Sequence, residues 1–167
     1  ESVGLGAGGT IKRATNIIDC FNNIEFYDEP MGAHMTALLG KTVYMDNDAN
    51  AAALGECVAG AAQGAKDAVV ITLGTGIGSG IIIDGKIYSG FNFAGAEVGH
   101  TVIEVDGRLC TCGRRGCFEA YASATGLIAS TKEAISVHPD GVLAQTAQEE
   151  GKVSARTAFN AMRKGDA

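Results

Sequence analysis

The sequence predicts an α/β protein, and three stretches carry that expectation. Thr42-Val-Tyr-Met45 is a short apolar strand followed by an alanine-dense helix over 49–62. Residues 67–73 contain Ala-Val-Val-Ile-Thr-Leu, a continuous apolar run of the kind expected for a strand covered on both faces. After Glu119 the pattern turns helical.

In chain order, Ser2-Val-Gly-Leu-Gly-Ala-Gly-Gly9-Thr-Ile reads as a strand entering a glycine turn. An extended stretch over 11–18 and a polar turn at Asn22-Asn23 follow. Gly8-Gly9-Thr10-Ile11-Lys12 resembles a phosphate loop only superficially, because no acid precedes the glycines and no helix pattern follows whose terminus could reinforce anion binding. Residues 30–39 form a short helix or loop that ends before Gly40. Asp46-Asn47-Asp48 opens the alanine-rich helix. Asp48 is either its N-cap or a catalytic carboxylate at the end of a strand, where open α/β sheets place their ligands. A helix N-terminus favours the ionised acid.

The 67–73 strand flows into Gly74-Thr75-Gly76-Ile77-Gly78-Ser79-Gly80, then Ile81-Ile82-Ile83 and an Asp84-Gly85 turn, a β-hairpin pattern. The amides around Thr75 either form a nest that binds phosphate or belong to a glycine-rich hairpin with no ligand. One or two helices are expected over 118–129 and 131–137, and further helices over 140–149 and 152–163. The last is capped by Ser154, with Ala158, Phe159 and Met162 on its apolar face.

Composition limits the function classes. The 167 residues suffice for one sizeable domain or parts of two, and 46% are apolar. The 24 glycines are about twice the usual share, which implies tight turns or backbone close to a ligand. A net charge of -6 argues against a nucleic-acid surface, and no apolar run reaches the length of a membrane span or signal peptide. A soluble protein is expected. Five cysteines, an odd number, suit a reducing cytoplasm better than a disulfide scaffold; Cys20 and Cys57 read as semi-buried thiols. His34 and His138 stand alone and read as surface or core residues.

The densest chemistry lies in Glu97-Val-Gly-His100 and Cys110-Thr-Cys112-Gly-Arg-Arg-Gly-Cys117-Phe-Glu119. His100, Cys110, Cys112 and Cys117 form a Cys3His set suited to a structural tetrahedral zinc; the alternative is reduced thiols or a disulfide. Closing that loop would fix Glu97 and Glu119, which are then either hydroxyl-reading acids or solvated loop residues. A metal-bound imidazole keeps a second nitrogen for a substrate oxygen.

Four motifs in this order, Asn47-Asp48-Ala-Asn50-Ala-Ala-Ala-Leu-Gly-Glu56, Leu73-Gly-Thr-Gly-Ile-Gly-Ser-Gly80, Glu97-Val-Gly-His100 and the cysteine loop, resemble the ROK family of repressors, open reading frames and sugar kinases, above all its bacterial glucokinases. The resemblance implies the actin-like, ribonuclease-H-like fold of two α/β domains, incomplete here, with 1–64 as the end of the small domain plus interdomain helix and 65–167 as the start of the larger one. It implies phosphorylation of a hexose, glucose first, by ATP with Mg2+, with Asp48 as the base. Gly9, Asn23, Asn47, Asp48, Glu97, His100 and Glu119 would contact sugar, Gly74, Thr75 and Gly76 the nucleotide, and His100 with the three cysteines a structural zinc.

A cytoplasmic homodimer is implied, with no nucleic acid on this segment and no membrane. The family's first aspartate-glycine-glycine phosphate loop and its late adenosine loop are not in the sequence, which leads us to expect a central segment of a protein of about twice the length. Ala7-Gly8 stands where the family usually has Pro-Gly, and Asp46 where it often has Glu. The alternatives are the sugar-sensing domain of a ROK repressor, or a kinase for N-acetylmannosamine, fructose or allose.

Overall fold

The computed structural model describes residues 1–21 and 25–166. The chain forms two compact units, Glu1–Thr72 with Gly78–Glu97, and Leu73–Ile77 with Val98–Ala167.

In the first unit, β1 (Ser2–Ala7) pairs in parallel with β5 (Thr42–Asn47), Ser2 opposite Thr42 and Ala7 opposite Asn47. A separate antiparallel sheet runs β2 (Thr10–Lys12), β3 (Ile17–Cys20), β4 (Tyr27–Glu29). The extended stretch expected over 11–18 is therefore two strands around a turn. Asn16 makes that turn with a φ of 54°. Its side chain then acts as a strand partner for β5, donating from Nδ2 to Val43 O at 3.1 Å and accepting Met45 N–H on Oδ1 at 2.9 Å. Ile11, Ile18, Val43 and Met45 are at most 4% exposed and form the core, with Val3, Leu5, Phe21 and Met35 packed around it. Each such burial contributes about 1.5–3 kcal/mol. Helix α1 (Met31–Leu39) follows Pro30 and stops at Gly40, whose φ of 63° ends the helix.

Helix α2 (Asp48–Ala59) packs on β7 (Ile77–Ile83) through small residues on both sides. A Cβ at Gly80 would lie 2.4 Å from Ala53 Cβ, and one at Gly78 would lie 3.0 Å from Ala49 Cβ. Two of the alternating glycines thus serve close helix-to-strand approach. The β7 to β8 (Lys86–Ile87) hairpin turns at Asp84 and Gly85, both at positive φ, as a type I′ turn requires.

Strand β6 (Ala68–Leu73) neighbours β7, but Val69, Ile71 and Leu73 are 60%, 38% and 70% exposed. The expected cover on both faces is absent among the described residues: alternate side chains turn outward, as the pleat dictates.

The second unit carries a 3-10 turn, Val98–His100, and four helices: α3 (Glu119–Ala122), α4 (Ala124–Val137), α5 (Val142–Glu150) and α6 (Ala155–Arg163). Ser123, 1% exposed, separates α3 from α4 and caps the latter by accepting Gly126 N–H at 3.0 Å. Ser154 caps α6 in a capping box with Thr157. The expected apolar face of α6 is corrected: Phe159 and Met162 are exposed, while Thr157 and Ala161 are buried. The Thr157 hydroxyl donates to Glu150 Oε2 at 2.6 Å, and this polar contact sets which face turns inward. No described helix is long and apolar enough to cross a membrane.

Candidate functional site

The parallel β1 and β5 end together, and α2 begins where β5 stops. Asn47, not Asp48, is the N-cap: its Oδ1 accepts Ala49 N–H at 2.9 Å and Asn50 N–H at 3.1 Å. Its Nδ2 donates to Gly9 O at 3.1 Å. The amide oxygen is thereby saturated, so any sugar contact by Asn47 must be a donation from its remaining N–H. Gly9 has a φ of 81°, and a Cβ there would lie 2.2 Å from Cys20 O, so this position admits only glycine.

Asp48 is the first helical residue and is exposed, with Oδ1 accepting Ala49 N–H at 2.9 Å. Its Oδ2 has no hydrogen-bond partner among the described residues. Beneath it, Arg13 Nε lies 3.1 Å from Asp46 Oδ2, while Asp46 Oδ1 accepts Asn47 N–H at 2.8 Å and Asn50 Nδ2 at 3.3 Å. Arg13 and Asp46 lie 33 positions apart, so sequence reading could not pair them.

In the second unit, one ligand atom from each of His100, Cys110, Cys112 and Cys117 lies within 4.8 Å of the others. Cys110 Sγ is 3.6 Å from His100 Nδ1, and Cys112 Sγ is 3.7 Å from Cys117 Sγ. A tetrahedral ion with thiolate bonds of about 2.3 Å has edges of roughly 3.8 Å between sulfurs, so the donor set fits zinc in kind and in size.

The backbone is shaped for it: Cys110 N–H donates to Arg114 O at 2.8 Å, and Gly116 N–H to Arg108 O at 2.8 Å. At Gly116, with φ 77°, a Cβ would collide with Glu104 O. Partial burial works against the Cys112 thiolate, but the Arg114 backbone N–H, the Arg114 guanidinium and the neighbouring thiols outweigh it and bring Cys112 down to about 6. Burial first, then Cys112 and Cys110, push Cys117 up to about 11. Arg108 staples the loop to the helices: its guanidinium sits 4.8 Å from the Tyr121 ring centroid and 2.5 Å from Glu133.

Glu119 joins this loop to residues 74–76. Its Oε1 accepts from Thr111 Oγ1 at 3.2 Å and lies 3.7 Å from Cys110 Sγ, while Oε2 accepts Ile77 N–H at 2.8 Å. Thr75 is exposed. Gly74 O accepts Ala124 N–H at 2.9 Å, and Thr75 O accepts from Thr125 Oγ1 at 2.7 Å.

The structure thus brings together Gly9, Asn47 and Asp48 in the first unit, and the four metal ligands, Glu119 and the 74–76 loop in the second. Glu97 is exposed and ends the first unit's segment just before the 3-10 turn that carries His100. Asn23 lies outside the described residues. Cys20 and Cys57 are half-buried and unbridged. His34 and His138 are exposed, and His34 Nδ1 lies 2.9 Å from Glu29 Oε1. Sequence reading gave no role to Arg13, Thr111 or Thr125, and noted Asp46 only as opening the helix and replacing the family's Glu; Arg13 and Thr125 act through partners 33 and 50 positions away, whereas Thr111 reaches Glu119 eight positions on.

The chain is 42% identical over 166 residues to the glucokinase of Halalkalibacterium halodurans, covering 99% of this chain and 50% of that protein. It is 34% identical over 133 residues to the xylose repressor of Caldicellulosiruptor bescii, covering 80% of this chain and 33% of the repressor. A crystal structure of a ROK family glucokinase from Streptomyces griseus in complex with glucose and AMPPNP matches with a TM-score of 0.83 and 37% identity, over 99% of this chain and 54% of that one. A ROK family transcriptional regulator, a homologue of the E. coli MLC protein, matches with a TM-score of 0.85 and 26% identity, over 99% and 41%. The chain spans about half the length of the curated relatives it matches. The sequence profile of the ROK family matches residues 1–167, so the α/β fold described above is that of its sugar kinases and regulators, and the chain belongs to the ROK family.

Proposed function

We propose that this chain carries the sugar-binding, proton-accepting and metal-binding residues of an ATP-dependent hexose kinase, with glucose as substrate. The observation that carries the reading is Asp48: an exposed carboxylate at a helix N-terminus, fixed through one oxygen and with the other unpartnered among the described residues. In phosphoryl transfer the protein supplies positioning, charge neutralisation and an acceptor for the hydroxyl proton. Asp48 Oδ2 takes that proton as the sugar oxygen bonds to the terminal phosphorus and the bond to the leaving ADP oxygen breaks. Mg2+ bound with the nucleotide would neutralise the phosphate charge.

Asn47 donates its remaining N–H to the sugar, and Glu97 and Glu119 accept from sugar hydroxyls. Zinc held by Cys110, Cys112, Cys117 and His100 Nδ1 would fix the loop and leave His100 Nε2–H as a donor. The amides of Thr75 and Gly76, unpartnered among the described residues, meet phosphate. Gly9 shapes the sugar pocket through its carbonyl grip on Asn47. Asn23 is proposed as a further contact from the family resemblance alone. A dimer working in the reducing cytoplasm suits the unbridged thiols.

The likeness to xylose repressors and to a ROK regulator favours one second reading, a sugar-sensing module. A coupled assay of the intact protein with ATP and a hexose panel separates the two. Turnover with glucose supports the kinase, whereas sugar binding without turnover on any hexose supports the sensor and overturns the kinase reading.

A further inference from the structure

We infer that Thr125 is a positioning residue for the 74–76 loop, an inference that rests on reading that loop as the nucleotide phosphate contact. The helix corner grips the loop by its carbonyl groups and leaves its amides open. Thr125 Oγ1 donates to Thr75 O at 2.7 Å, and Ala124 N–H donates to Gly74 O at 2.9 Å. Peptide planarity does the rest. The C=O of Thr75 and the N–H of Gly76 lie in one plane and point in opposite directions, so fixing the carbonyl fixes the direction of the next amide. In the same way, the grip on Gly74 O aims the Thr75 N–H.

These are the two amides of the loop with no hydrogen-bond partner among the described residues. The flanking ones are committed: Gly74 N–H donates to Gly76 O at 3.0 Å, and Ile77 N–H donates to Glu119. A pair of adjacent, outward-held N–H groups is the geometry that binds a phosphate oxygen.

The gripping corner is itself rigid. Ser123 is 1% exposed and caps α4 through Gly126 N–H, and a Cβ at Gly126 would lie 2.7 Å from the Tyr121 carbonyl carbon, which keeps α3 and α4 in close contact. Thr125 is exposed, so its hydroxyl is not needed to fill a core, and the hydroxyl meets the loop rather than the ligand. The assigned role is therefore orientation of Thr75 and Gly76 towards the phosphates of a magnesium nucleotide.

The test compares Thr125→Val, Thr125→Ala and Thr125→Ser in the intact protein. AMPPNP with Mg2+ and glucose are titrated separately by calorimetry, and amide hydrogen exchange is followed over 73–77. Loss of one hydroxyl-to-carbonyl bond should weaken AMPPNP about five- to tenfold, leave glucose affinity in the absence of nucleotide unchanged, and speed exchange at Thr75 and Gly76. Serine should restore both. The alanine variant controls for a misfit of the valine methyl.

If the wild type binds AMPPNP and all three variants bind it equally, the positioning role is overturned while the phosphate reading stands. If the wild type does not bind AMPPNP, the phosphate reading falls. Exchange then decides the anchor alone: faster exchange in Thr125→Val and Thr125→Ala retains it, and unchanged exchange removes it.

Discussion

Glu119 Oε2 accepts the backbone N–H of Ile77 at 2.8 Å, a contact across 42 residues of chain. Because Glu119 Oε1 also accepts from Thr111, one carboxylate joins the exit of the 74–76 loop to the cysteine loop within a single unit. Oε1 also faces Cys110 Sγ at 3.7 Å, whereas Oε2 has the Ile77 N–H alone and retains a lone pair, so a sugar hydroxyl can add at Oε2 without displacing this arrangement.

Gly76 exists to let that carboxylate approach. A Cβ at this position would lie 2.4 Å from Glu119 Oε2 and 3.2 Å from its Cδ. Gly76→Ala should push the carboxylate off Ile77, leave a buried amide unpaired, and destabilise the protein by about 1–3 kcal/mol. Glucose affinity should fall by roughly tenfold, the equivalent of about 1.4 kcal/mol. Thermal melting and a glucose titration check this, and unchanged values in both would mean that Glu119 moves at no cost.

Cys112→Ser removes one of four ligands from a set whose distances suit a tetrahedral ion. Bound zinc, counted by elemental analysis of the purified protein, should drop well below that of the wild type. Glucose affinity should drop with it, because Thr111 and Cys110, which face Glu119 Oε1, belong to the same loop. Sugar affinity that survives metal removal would reduce the ion to a staple.

What could be read from the sequence was whatever a local pattern specifies. The Asp84-Gly85 hairpin, the Ser154 cap and the clustering of His100 with three cysteines all came from spacing and turn chemistry. Local ambiguity explains why the cap alternative fell on Asp48: Asn47 and Asp48 are both good caps, and only the strand register that ends β5 at Asn47 decides between them. Non-local contacts explain the rest. Thr157 turns inward because Glu150 accepts its hydroxyl, and Phe159 stays outside as a result. The alternating glycines of 74–80 looked like one motif, yet Gly78 and Gly80 admit α2 whereas Gly76 admits Glu119.

Asn47 caps α2 and also ties it to Gly9, so Asn47→Ala should cost about 1–2 kcal/mol in urea unfolding. Asn47→Asp keeps the cap but loses both N–H groups of the amide. It should recover only the capping share of the stability, since a carboxylate oxygen facing Gly9 O cannot donate, and it should fail to recover sugar affinity, which separates the capping role from the two donations.

The α5 and α6 pair should loosen in acid. Asn160 donates to Glu150 Oε1 at 2.7 Å and Thr157 to Oε2 at 2.6 Å, and these two bonds, Asn160 first, lower the Glu150 pKa. A carboxyl held below its unfolded value gives the unfolded chain more bound protons. Its stabilisation is therefore present above the ordinary glutamate range and is lost as pH falls through the depressed value. Melting temperature measured from pH 6 down to about 3 should decline less steeply in Glu150→Gln than in the wild type, and the variant should start from a lower stability at neutral pH. Parallel curves would remove Glu150 from the acid response.

Asp48→Asn is the sharpest separation of chemistry from binding. The amide oxygen can still accept Ala49 N–H as Oδ1 does, so the helix start should persist and the melting temperature should change little. The position occupied by Oδ2 becomes an amide nitrogen or a neutral oxygen, neither of which can take a proton from a hydroxyl. Turnover in the intact protein should fall by about 100-fold or more, the usual worth of a general base, while glucose affinity stays within about threefold of the wild type. A fall in turnover with unchanged KM places Asp48 at the proton, because an interaction made only in the transition state lowers kcat alone. A rise in KM at constant kcat would instead make Asp48 a sugar ligand, and the base would have to be sought on another residue.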